Sequence, residues 1–239
     1  MCFCAGASFG VGGTLVLLGL VFICILLFFQ SKPMKEKWAY VPLSIVPLLF
    51  GIQQICEGFV WENVNNETAI RIFTFFAFAF WPFWIPFSFA TIEASYVMKK
   101  QLKKRLAMKP KPRLIWLLFN VAIGLAMTIL ITVKMYTKPM HASIRNNHIL
   151  YGGDIHAIYA TNPSSWTLGD CLVISVYIYL IISSMLLSSA RGTVLLAVTT
   201  AITLIVAVVV FNETWTSIWC FFEAIVSLII LYIIYMETK

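Results

Sequence analysis

Residues 48–61, LLFGIQQICEGFVW, place two glutamines and a glutamate inside a run of otherwise apolar and small side chains. An ionisable group in hydrocarbon costs roughly 2.5–3.5 kcal/mol on insertion scales, so Glu57 is expected to face a protein interior or water rather than lipid. Helical spacings of three and four gather Phe50, Gln53, Gln54, Glu57 and Trp61 on one face. Gly51 and Gly58 would let a neighbouring helix approach closely. The stretch reads as the inward face of one helix in a larger apolar bundle.

The surrounding chain has the composition of such a bundle. Its 239 residues are 61% hydrophobic and 11% charged, too little polar surface to coat a soluble domain of this size. About twenty apolar residues cross a hydrocarbon core of roughly 30 Å. Seven such runs occur, at about 10–29, 40–61, 69–96, 114–133, 168–188, 194–211 and 215–235. The expected fold is therefore an all-α seven-helix transmembrane bundle, a single polytopic domain over 1–239 with a short β-hairpin in the loop at 134–167. The third run contains Trp81-Pro82-Phe83-Trp84-Ile85-Pro86. It reads as one kinked helix, because half of it is too short to span alone.

Basic residues set the expected orientation. Thirteen Lys and Arg side chains fall in the loops after the first, third and fifth spans and at the C-terminus, against four on the other side. The positive-inside bias then puts the N-terminus outside and the C-terminus in the cytoplasm, in a cell's inner (cytoplasmic) membrane. The net charge of +7 follows from this topology and calls for no nucleic acid. The segment KKQLKKRLAMKPKPR is also placed to meet anionic lipid head groups. The start MCFCAGASFGVGG lacks a charged n-region, so the first span reads as a retained anchor.

The seventh span carries a second polar stripe. In TWTSIWCFFEAIVS, Thr216, Trp219, Cys220, Glu223 and Ser227 share one helical face. Gln53 lies eight residues from Trp61 and Glu223 eight from Trp215, about 12 Å inward in each case. The second and seventh helices are thus expected to share a pocket lined by Gln53, Gln54, Glu57, Trp61, Trp219, Cys220 and Glu223. Glu93, near Lys99 and Lys100, reads as a snorkelling surface ion pair. Thr167-Leu168-Gly169-Asp170 reads as a capping box opening the fifth span.

Six cysteines show no C-x-x-C spacing and the spans hold no histidine, so no metal or cofactor is expected. Cys2 or Cys4 could pair with Cys171 if both lie outside. His141, His148 and His156 all fall in the 134–167 loop. There NNHILYGGDIHAIY reads as a hairpin turning at Gly152-Gly153, a lid with Asp154 and His156 projecting inward.

Met1-Cys2-Phe3 with Ala7-Ser8-Phe9, the block Pro47-Leu48-Leu49-Phe50-Gly51-Ile52-Gln53-Gln54 with Glu57-Gly58 and Trp61, and Trp219-Cys220-Phe221 carry a resemblance to a family. The chain resembles an uncharacterised family of bacterial seven-span membrane proteins. The resemblance implies the bundle and no particular activity. The seventh span has no lysine, which excludes a retinal Schiff base there. Three readings remain. The favoured one is a carrier or binding protein for a small polar or cationic solute, proton-coupled through a glutamate. The second is an intramembrane enzyme with Glu57 or Glu223 as acid or base and Cys2 or Cys220 as nucleophile. The third is a sensory receptor without retinal.

Overall fold

The computed structural model describes residues 4–29, 37–99, 110–145, 147–153, 167–211 and 214–238. Among these residues seven helices are long and apolar enough to cross a membrane: Ala5–Phe28, Val41–Glu62, Glu67–Met98, Pro112–Thr137, Leu168–Leu187, Thr193–Phe211 and Trp215–Glu237. They are called spans one to seven. Spans two, three and seven bury more than half of their most apolar window, and spans one, four and six about a fifth, so the former trio forms the interior and the latter face lipid.

Spans one and two pack backbone against backbone, and glycine is the reason. A Cβ on Gly12 would sit 2.8 Å from the Gly51 carbonyl oxygen, and one on Gly51 would sit 2.8 Å from both the Gly12 carbonyl and the Val16 amide. One heptad along each helix, Gly19 lies against the Leu48 backbone and Gly58 under the Phe9 ring. Without a hydrophobic force between helices in lipid, this backbone approach supplies the dispersion contact that holds them.

The third span is one helix with a wider turn in it, as its length requires. Helix Glu67–Thr74 passes through a π turn at Phe75–Phe80 into helix Trp81–Lys99, which contains Pro86. Prolines and the π turn disturb the regular carbonyl partners, and other spans supply replacements. Thr128 donates to the Ala79 carbonyl at 2.5 Å and Tyr177 to that of Ala77 at 2.8 Å. A Cβ on Gly124 would lie 2.0 Å from the Pro82 carbonyl oxygen, so the fourth span can seat on the kink because position 124 is glycine.

Strands β1 (Met140–Arg145) and β2 (His148–Gly153) pair antiparallel with Arg145 opposite His148. The hairpin therefore turns between Arg145 and His148, and Gly152-Gly153 lie within and at the end of β2, opposite His141 and Met140. Burial alternation decides this register: Met140, Ala142, Ile149 and Tyr151 all point into the protein. Asn147 accepts the positive φ of 60° that the turn needs. Asp154 and His156 lie outside the described residues. The hairpin sits on the end of the bundle, with Tyr151 stacked on Phe73 of span three at 4.5 Å.

Glu93 is a second correction. It is fully buried rather than paired at the surface, and its carboxyl accepts from the Ser189 amide at 3.2 Å and hydroxyl at 3.0 Å. Arg113 donates to the same hydroxyl. The short turn between spans five and six has backbone donors buried against span three, and a carboxylate satisfies them. The capping box at Thr167 and Asp170 has both of its halves in place. Cys4 and Cys171 are free and exposed, and Cys2 lies outside the described residues.

Gly51→Ala should lower the unfolding midpoint of the detergent-solubilised protein, at a cost of about 1–3 kcal/mol for overpacking. Gly13→Ala, where a Cβ would meet nothing within 4 Å, should leave the midpoint unchanged in the same thermal scan.

Candidate functional site

Span two supplies the first half of the site. Gln53, Gln54 and Glu57 are all buried to 1% exposure or less, on one face of helix Val46–Glu62 with Phe50. Glu57 accepts a hydrogen bond from Ser217 of span seven at 2.5 Å. The Gln54 amide and the Tyr151 hydroxyl approach the same carboxyl without closing a hydrogen bond. Burial, and next the nearby Glu57 carboxyl, push the Tyr151 phenol well above its usual value, so it keeps its proton and presents an O–H. Gln53 accepts from the Trp81 indole N–H at 3.0 Å, and its amide nitrogen faces Cys220 unbonded.

Four buried polar atoms around Glu57 consequently have no partner: Gln53 Nε2, both amide atoms of Gln54 and the Tyr151 hydroxyl. An unpaired buried donor or acceptor costs about 1–3 kcal/mol, so a cluster of four is unusual. The buried Asn120 of span four joins two spans, giving its amide nitrogen to Ser183 and Ser184 of span five at 3.0 and 3.2 Å, and leaves a single unpartnered atom, its amide oxygen.

Span seven supplies the second half at a different level. Glu223 accepts from Thr203 at 2.6 Å, Thr200 at 3.0 Å and the Trp219 indole at 3.2 Å. With Ser217 facing Glu57 and Cys220 facing Gln53, Glu223 falls near the level of Phe50. It lies about one turn deeper than equal counting from the two tryptophans places it, and roughly 9 Å along the helix from Ser217. The two glutamates are therefore successive stations rather than a facing pair, and Cys220 stands between them. Trp61 is half-buried at the hairpin end and joins neither carboxyl.

A cavity opens beside Glu223. Its volume is about 30 Å³. Phe50, Trp81, Tyr177, Trp219, Cys220 and Glu223 are among the residues that line it. Glu57 and both glutamines lie outside this lining, so the expected common pocket divides into a polar cluster under the hairpin and an aromatic cavity below it.

Several of these residues were not singled out from sequence. Ser217 sits one residue off the stripe that contains Thr216, and the spacing of 217, 220 and 224 marks the face that is in fact buried. Thr200 and Thr203 are a hydroxyl pair at i, i+3 in an otherwise apolar span, a signal in principle available. Tyr151 could be found from the strand alternation that also fixes the hairpin register. Among the described residues no three His, Cys, Asp or Glu side chains cluster as a metal site.

A family model matches residues 1–238, nearly the whole chain. The chain belongs to DUF6629, a family of unknown function. Comparison with curated proteins and with solved structures finds no match. Membership of DUF6629 agrees with the resemblance to an uncharacterised family and brings no activity with it, so the site must be read from its own chemistry.

Trp81→Phe removes the donor to Gln53 and should lower stability by about 1–3 kcal/mol through the orphaned amide oxygen, with lost ring volume adding to it. Tyr151→Phe removes a hydroxyl that has no partner and should leave the unfolding midpoint unchanged or raised. Thermal unfolding of both variants in one detergent checks the pair.

Proposed function

We propose that this multi-pass membrane protein binds and carries a small polar or cationic solute through the interior of its bundle, with a glutamate exchanging a proton as the solute loads. The observation that carries this reading is the cluster of four unpartnered polar atoms on Gln53, Gln54 and Tyr151 around Glu57. Groups left unpaired in a packed interior are what a visiting solute or water would satisfy. Two carboxyls at successive depths on adjoining helices give such a solute a sequence of stations. The hairpin, with Tyr151 against the first station, is placed to close one mouth. The basic loops favour an orientation with this hairpin outside a cytoplasmic membrane.

The enzyme reading is less well supported. Among the described residues Cys220 is hydrogen-bonded to neither carboxyl, and a nucleophile without a base at hydrogen-bond distance is unactivated.

In proteoliposomes with a trapped pH dye, the wild-type protein should move protons inward when a transported solute is supplied. Glu57→Gln should abolish the solute-linked proton movement, and thiol alkylation should leave it intact. Alkylation-sensitive covalent turnover without flux would reverse the assignment in favour of the enzyme.

A further inference from the structure

We infer that the cavity beside Glu223 is a site for a compact alkylated ammonium ion. The inference rests on the carrier reading above and names the chemical class of its cargo.

The walls of the cavity are aromatic and already tied. On one side Phe50 stacks on Trp81 with ring centres 4.1 Å apart, and the Trp81 indole N–H is held by Gln53. On the other, Trp219 meets Tyr177 edge to face at 5.9 Å, and its N–H is held by Glu223. The Tyr177 hydroxyl is occupied by the Ala77 carbonyl. With their polar tips engaged, these four residues offer the cavity π surface rather than hydrogen-bond donors.

Charge supplies the second half of the argument. Glu223 lines the cavity, and three donors fix its two oxygens in place. The donors favour the ionised form while burial opposes it, and among the described residues no Lys or Arg ion pair offsets that cost, so a bound cation would. An anion would meet this carboxylate and no cationic partner. A sugar-like solute would lack donors. A cation with an apolar skin satisfies both features, since ring faces attract cations within about 6 Å and the carboxylate balances the charge. The small cavity volume of about 30 Å³ favours an ion no larger than a few methyl groups around one nitrogen.

Tetramethylammonium is the probe. Titrated into the purified full chain in detergent, against sodium chloride at matched ionic strength, it should shift tryptophan fluorescence saturably and raise the unfolding midpoint of the wild-type protein. Glu223→Gln and Trp219→Leu should each weaken binding about ten-fold, in line with a cation–π or charge contribution of order 1–2 kcal/mol. Glu93→Gln, at the turn contact with Ser189 outside the cavity lining, should bind as wild type. The wild-type thermal shift needs no variant to fold. If sodium gives the same shift as tetramethylammonium, or neither gives one, the ammonium site is refuted. If binding fails while solute-linked proton flux still depends on Glu57, the cargo assignment falls and the carrier reading stands. Saturable binding without any flux in vesicles would uphold the site and overturn the carrier.

Discussion

A carboxyl group placed among hydrocarbon must find protein or water, and the bundle is arranged around that constraint. Three glutamates lie within the spans away from their ends, and each has been given a different solution. Glu93 caps a buried turn through Ser189. Glu223 collects two threonines and an indole. Glu57 is left with one close serine donor and a surround of unpaired amide and phenol groups. The first caps a turn, the second is held by donors from two spans, and the third has an unfinished shell. The three differ in how fully their oxygens are satisfied rather than in being acids.

Holding these groups in place depends on close backbone packing. The Gly12–Gly51 crossing brings span one against the outside of span two, which leaves the face carrying Gln53, Gln54 and Glu57 free to turn inward. The kink in span three works with it. Its π turn and prolines bring Trp81 to Gln53 and Phe50, and the carbonyls disturbed on the way are recovered by Thr128 and Tyr177. Tyr177 thereby lies both in the repair of the kink and in the wall of the cavity, so backbone satisfaction and pocket shape are one arrangement.

The hairpin illustrates how local and tertiary signals compete. Gly152-Gly153 is the stronger turn dipeptide on propensity alone. The strand pair instead turns between Arg145 and His148 because that register sends four apolar or aromatic residues inward at once, including Tyr151 over Phe73. Burial of a whole face outweighs the turn preference of two residues.

Much of the architecture follows from the sequence without coordinates. Run length and hydropathy determine seven spans because hydrocarbon thickness sets helix length, and Gly51 and Gly58 mark a close crossing because only a missing Cβ permits it. That Gln53, Gln54 and Glu57 face inward follows from helical periodicity and the cost of exposing them to lipid. What only the tertiary structure decides is the axial register between spans two and seven. No local rule reports how two distant helices slide against each other, and a shift of one turn moves Glu223 from the level of Gln53 to that of Phe50. The burial of Glu93, the partnership of Ser217 with Glu57 and the descent of Tyr151 onto the polar cluster are likewise contacts between segments far apart in the chain. Their energies depend on what the rest of the fold leaves unsatisfied, which no single segment encodes.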